Sequence, residues 1–276
     1  RYLGSKDIKN LVKLKILKKK QDNYKFNLSF VPFRDFIFIR DSHDIYEKFF
    51  DPKKIKNKKV WMGADSIMFL RFLEDYLKKY SFRSAFEIGS GTGIVIGSIS
   101  NKFEKCEAID VSERAVKFTK INAKINNFLN LKSYKSDLYK NVKKKFDLII
   151  ANPWFVDLKH GGLEEAPKII KKLDKYLNKN GRCLLIMNSY IKKNNDTLLD
   201  YFSNILKKNN FDVNLYSNGA NYEFNRTKDY KKFNINYVLS YNVEIIIDGS
   251  GILTKYEAPF LRRLRDFMLK IVIKFI

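Results

Sequence analysis

The chain predicts an α/β fold, a mostly parallel sheet with helices on both faces, and three observations carry that expectation. From Ser84 to Ser189 short apolar runs alternate with helix-like segments. That order lays strands side by side and returns the chain across the sheet through helices. The runs are near-continuous, Phe146 to Ala151 (Phe-Asp-Leu-Ile-Ile-Ala) above all, as in central parallel strands covered on both sides. At 276 residues the chain is long enough for one such domain with additions and a sizeable core.

The elements follow in order. Residues 1 to about 60 set Lys-rich segments around an alternating apolar stretch, Phe26 to Ile39, which Pro32 interrupts and an Asp51-Pro52 turn follows. This reads as a small N-terminal subdomain or lid. Val60-Trp61-Met62-Gly63-Ala64-Asp65-Ser66 then precedes a helix, Ile67 to Leu77. A first strand, Ser84 to Ile88, ends in the loop Glu87-Ile88-Gly89-Ser90-Gly91-Thr92-Gly93 and passes to a helix start, Ile94 to Ile99. A second strand, Lys105 to Val111, brings Asp110 to its tip. Ser112 is the expected N-cap of the next helix, with Ala115, Phe118, Ile121 and Ile125 along one face. The third strand, Leu131 to Ser136, closes on Asp137-Leu138, and the fourth, Phe146 to Ala151, runs into Asn152-Pro153-Trp154-Phe155. A helix over Ile169 to Leu177, a Lys179-Asn180-Gly181 turn and a fifth strand, Cys183 to Met187, come next. Phe211 to Tyr216 and Tyr237 to Asp248 complete the sheet.

The glycine loop carries the chemistry. Glycines at alternate positions let backbone pass close to a bulky ligand and adopt dihedrals that other residues resist, which points to a nucleotide-type cofactor. A dinucleotide fingerprint would need glycine where Ile94 stands, and Glu87 has no place in it. A phosphate-binding P-loop is excluded because no Gly-Lys-Ser/Thr follows. Asp110, about 20 residues past the loop, is placed to accept from ribose hydroxyls.

Glu87-x-Gly89-x-Gly91-x-Gly93 resembles motif I of the class I S-adenosylmethionine (SAM) methyltransferases, and Asn152-Pro153-Trp154-Phe155 resembles their Asn-Pro-Pro-Tyr/Phe motif. The placement of Val60 to Ser66 is similar to the "methyltransferase small domain" group. That group includes release-factor glutamine N5-methyltransferases and rRNA guanine-N2 methyltransferases. The resemblance spans roughly Val60 to Ser189. It implies a Rossmann-like sheet of seven strands, the last antiparallel, over residues 61–250, between the N-terminal subdomain (1–60) and a C-terminal amphipathic helix (251–276). It further implies that SAM is held by Glu87, Gly89, Gly91, Gly93, Asp110, Asp137, Leu138 and Asn152. Asp137 would accept from the adenine amino group and Leu138 would lie on the ring. Asn152 and the Pro153 carbonyl would accept N–H bonds from an amide or amino nitrogen while Phe155 stacks on its planar group. Trp154 departs from the motif's second proline, which alters the width of the acceptor pocket more than the reaction. His160-Gly161-Gly162-Leu163-Glu164 is reminiscent of the release-factor enzymes, without their Pro-rich spacer.

Composition bounds the partners. The net charge is +24, from 54 basic and 30 acidic residues. Either a polyanion such as RNA, DNA or a ribosomal surface explains it, or a Lys-, Asn- and Ile-rich compositional bias does. Protein substrates (a translation factor) and nucleic-acid bases both remain open, as do a small-molecule acceptor and a basic binding module that keeps the fold without chemistry. Cys106 and Cys183 fall inside strands, as buried free thiols of a reducing, cytoplasmic compartment would. No Cys/His cluster has metal-ligand spacing, and no run of about 18 apolar residues suggests membrane insertion. The C-terminal segment sets Leu261, Leu264, Met268, Ile271 and Phe275 near one side of a helix, suited to docking on its own domain or a partner subunit, or to an anionic membrane surface. The chain starts at Arg1 without a methionine, so the true N-terminus is expected to lie beyond it.

Overall fold

Apolar alternation near the N-terminus resolves into two hairpins. Strands β1 (Leu17–Lys20) and β2 (Asn23–Phe26) pair antiparallel, and β3 (Leu28–Phe33) pairs with β4 (Phe36–Asp41) around the turn Arg34-Asp35. The computed structural model describes residues 8, 9, 12, 17–20, 23–41, 60, 62–153, 163, 165–193, 195–221 and 231–256. Pro32, expected to interrupt the stretch, lies within β3 opposite Ile37. The Ile37 N–H points away from β3, to Asn126 Oδ1 at 2.9 Å. The position opposite it therefore needs no ladder donor, and proline is accommodated there.

From α1 (Ala64–Tyr76) the chain forms β5 (Ser84–Ile88), α2 (Ile94–Ser98), β6 (Lys105–Asp110), α3 (Glu113–Ile125), β7 (Leu131–Lys135) and β8 (Phe146–Ala151). Two short helices, α4 (Ala166–Ile170) and α5 (Leu173–Tyr176), stand where one is expected. They are followed by β9 (Leu177–Lys192), β10 (Asn195–Asp196), α6 (Thr197–Leu206), β11 (Phe211–Asn221), β12 (Tyr237–Ile247) and β13 (Leu253–Tyr256). The sheet runs β13-β11-β12-β9-β8-β5-β6-β7, with β10 paired to β9. Strands β5 to β9 are parallel, and β12 is antiparallel to both of its neighbours. The seven expected strands are all present, and β13 adds a strand parallel to β11 at the edge. The Lys179-Asn180-Gly181 turn is an irregularity inside β9. Phe146 pairs with Leu177 but Leu148 with Arg182, and Asn180 takes a left-handed φ of 63°, as bulges and asparagine permit.

Alternation along the central strands feeds two cores. Phe86, Ile149, Cys183, Leu185 and Met187 face α4, α5 and α6, while Ala85, Leu148, Ile150, Leu184 and Ile186 face α1, α2 and Phe38 of the hairpin. Phe86 stacks on Phe146 with ring centres 4.6 Å apart. Both cysteines are buried and free, and burial pushes the Cys106 thiol up to about 12. The buried Glu244 carboxylate accepts from Tyr76 and Arg182 through one oxygen. Through the other it accepts from Asn214 Nδ2 (2.9 Å) and the Tyr216 hydroxyl (3.0 Å). This satisfied charge ties the end of α1 to β9, β11 and β12. No helix among the described residues is long and apolar enough to cross a membrane.

Candidate active site

Strand register brings the singled-out residues to one edge. β5 lies between β6 and β8, where consecutive crossovers leave in opposite directions, the place where open α/β sheets bind ligands. Ile88 pairs with Ile109 on one side and Ala151 on the other, and Asp110 pairs with Lys135. Asp137, Asp110, the glycine loop and Asn152 therefore follow one another along the carboxyl ends of β7, β6, β5 and β8. Three strand spacings separate the first from the last, about 14 Å. Two surface cavities, ≈ 280 Å³ beside Phe128 and Leu131 and ≈ 440 Å³ beside Lys145 and Phe211, lie toward the opposite ends of the strands.

The loop is held from below and from the side. Gly89 and Ser90 both donate to the Ile109 carbonyl at 2.9 Å, and Gly93 N–H closes a turn on Ser90 O at 2.7 Å. Gly89 and Gly93 have φ of 76° and 75°. A Cβ on Gly93 would stand 2.8 Å from Thr119 Cγ2, whereas one on Gly89 would meet nothing within 4 Å. The loop is thus packed on α3 at one end and open at the other. Thr119 Oγ1 donates to Gly91 O at 3.2 Å and Asn122 Nδ2 to Thr92 O at 2.9 Å. The same Asn122 amide bonds both Ile39 N (2.7 Å) and Ile39 O (3.0 Å) of β4, and Asn126 repeats this one helical turn on with Ile37. Two asparagines at i, i+4 thereby act as a short strand for the hairpin. The helix face is correspondingly rotated. Ala115, Val116, Phe118, Thr119 and Asn122 are buried, while Ile121 and Ile125, expected on the inner face, are exposed. Ser112 caps α3 as expected, accepting from Ala115 N.

Two acids flank the loop. Glu87 is 2% exposed and accepts one long bond, from Ile96 N–H at 3.4 Å. Burial holds its carboxyl well above the ordinary range, and the charge of Asp110 adds to this. Asp110 accepts from Gly91 N (3.0 Å) and Ser112 N (2.8 Å), and burial still raises its pKa. Among the described residues no cation pairs with either. The Thr92 hydroxyl is buried and has no partner among the described residues. An under-satisfied acid, Glu87, an unpartnered hydroxyl and an open loop suit a ligand that brings its own positive charge and donors. Asp137 is exposed, and Leu138, half-buried with φ of 46°, packs against the first core.

Asn152 and Pro153 are half-buried at the end of β8. Asn152 Nδ2 donates to Asp65 Oδ2 at 2.6 Å and to Ser66 Oγ at 3.3 Å. The first turn of α1 therefore meets Asn152 at the end of β8. Trp154, Phe155, His160, Gly161, Gly162, Glu164 and the segment from Phe260 to Ile276 lie outside the described residues. Sequence reasoning singled out neither Asp65, Thr119 nor Asn122. The only signal for Asp65 is its place just inside α1, because its partner is 87 positions away.

Residues 66–214 match the methyltransferase small domain family, which is more than half of the chain. A Methanocaldococcus jannaschii protein named for protein N5-glutamine methylation is 35% identical over 130 residues, 45% of this chain and 59% of that protein. A release factor glutamine methyltransferase of Buchnera aphidicola is 31% identical over 134 residues, 40% of this chain and 48% of its own length. The chain thus spans about half the length of these relatives. Among solved structures, Trm5b from Pyrococcus abyssi superposes with a TM-score of 0.55 at 14% identity, covering 83% of this chain and 62% of that one, which supports the fold. S-adenosylmethionine is the cofactor of these class I enzymes. Family match, strand order and the acid-led glycine loop agree, and the chain belongs to the methyltransferase small domain family.

Proposed function

We propose that the protein is a SAM-dependent N-methyltransferase whose acceptor is a planar amide nitrogen, the side chain of a glutamine in a protein. The observation that carries this is the order along the sheet edge, Asp137, Asp110, glycine loop, Asn152, which supports nucleoside contacts toward one end and a nitrogen-binding amide at the other. Glu87, Gly89, Gly91 and Gly93 would hold the methionine portion, Asp110 the ribose, and Asp137 with Leu138 the adenine. When bound, SAM supplies a methyl carbon on a sulfonium, so that the acceptor lone pair forms the C–N bond as the C–S bond breaks and the surplus nitrogen proton leaves to water. Asn152 Oδ1 and the Pro153 carbonyl accept the nitrogen's N–H bonds, fixing its lone pair and stabilising the positive charge that develops on it. Phe155, outside the described residues, is the residue that the Asn-Pro motif offers to the amide plane. The names of the two relatives support a protein acceptor. The net charge of +24 favours a second acceptor class, the exocyclic amine of a nucleic-acid base.

Tritiated methyl transfer into fractionated cell extract separates these outcomes. Label in protein is expected, and label confined to RNA would move the reading to the base. Asn152→Ala should lose roughly 100-fold or more of the transfer, while calorimetry shows a far smaller change in S-adenosylhomocysteine affinity. Full turnover in that variant removes Asn152 from the chemistry.

A further inference from the structure

We propose that Asp65 is the positioning residue of this site, acting through Asn152 to select acceptors that carry an N–H. The inference rests on the acceptor role given to Asn152 above. A carboxylate without its proton can only accept hydrogen bonds. The atom of Asn152 that lies 2.6 Å from Asp65 Oδ2 must therefore be the nitrogen, and the amide has one orientation. Ser66 Oγ, 3.3 Å from the same nitrogen, takes up a second donor direction. With its nitrogen engaged at α1, Asn152 is left with Oδ1 as the group to offer, and a substrate must meet it with a donor.

Neighbouring residues are arranged to keep Asp65 in this place. Its side chain folds back over Gly63, where an added Cβ would collide with the carboxylate. Asp65 also lies in the first turn of the 13-residue helix α1, where backbone N–H groups favour a negative charge. A carboxylate one hydrogen bond behind an amide polarises it and makes Oδ1 the stronger acceptor. That gain is largest when the bonded nitrogen becomes positive, so the Asp65–Asn152 pair acts on the transition state more than on substrate binding. An acceptor nitrogen without hydrogen, or a hydroxyl with a single proton, makes fewer or none of these bonds.

Exchanging donor and acceptor tests the idea. In Asp65→Asn the partner no longer dictates the amide orientation, and methyl transfer into extract protein is expected to fall roughly 10- to 100-fold. S-adenosylhomocysteine affinity and the urea midpoint should hold. Asn152→Asp sets two carboxylates face to face and should fall at least as far. The double variant restores one donor–acceptor pair with an oxygen free for the substrate, and should regain about tenfold over either single change. A readout independent of substrate is the Asn152 side-chain amide signal in a ¹⁵N spectrum, identified by its loss in Asn152→Asp. It is expected to shift and exchange faster with solvent in Asp65→Asn. An unmoved signal, or no recovery in the double variant, overturns the role of Asp65. Failure of the wild-type protein to bind S-adenosylhomocysteine instead overturns the methyltransferase reading, and the amide signal still decides whether Asp65 holds Asn152.

Discussion

Gly93 and Gly89 share a left-handed φ but not a neighbourhood, and that contrast makes a residue-level prediction. Alanine at either position carries about 1–2 kcal/mol of backbone strain. Only at position 93 does the new methyl press on Thr119, itself the donor to Gly91 O. Gly93→Ala should therefore lower the urea midpoint more than Gly89→Ala and weaken S-adenosylhomocysteine binding with it. Glu87 supports a second prediction. Its folded carboxyl is raised by burial above an ordinary value of 4.5. Its stabilising contribution is therefore fully present below that value and is lost as pH rises through the raised one. The neutral isostere in Glu87→Gln lacks this dependence. Wild type should lose ground to the variant in urea melts as pH rises above the ordinary carboxylate value of 4.5. A constant difference would place the Glu87 carboxyl in the ordinary range. All three residues were legible in the sequence, because glycine spacing and an acid at a strand end are local signals. The partnership of Asp65 with Asn152 was not, since nothing local joins positions 87 apart.

At the scale of elements, helix α3 does two jobs, covering the sheet and carrying the hairpin. Asn122, 1% exposed, bonds Thr92 O, Ile39 N and Ile39 O. Its removal leaves three backbone groups short of a partner. Asn122→Ala is expected to cost roughly 2–4 kcal/mol in urea unfolding, against about 1 kcal/mol for the more exposed Asn126→Ala. Equal losses would mean that the hairpin is held by packing alone. Continuous apolar strands were readable to the residue, as β5 and β8 attest. The inner face of α3 was misjudged at Ile121 and Ile125, because two polar asparagines and a threonine occupy the positions an apolar stripe would claim. Helix α6 gave no advance notice. Its cap, Asp196, accepts from Leu198 N and Leu199 N within a run of asparagines that reads as loop, and Tyr241 from another strand completes it. β9 begins six residues before the apolar run that announces it, at Leu177 rather than Cys183, because Asn180 bends the strand without ending it.

Across the whole molecule the sheet divides the work between two groups of strands. The carboxyl ends of β5 to β8 gather every described residue assigned to cofactor or acceptor, while Glu244 and its partners fasten α1 to β9, β11 and β12. The mostly parallel sheet was legible from the alternation of elements, and its antiparallel last strand from the family resemblance. The edge strand β13 was not, for its four residues, Leu-Thr-Lys-Tyr, have no apolar periodicity to announce them.

One side-chain amide, that of Asn122, clasps the cofactor loop with the same group that grips the N-terminal hairpin. A nucleoside that stills the loop should therefore leave a remote trace: slower deuterium uptake at the Ile39 amide when S-adenosylhomocysteine is added, and no such slowing once Asn122 is alanine. Loading of the pocket would then be audible in the N-terminal hairpin, through the one amide that the hairpin and the loop share.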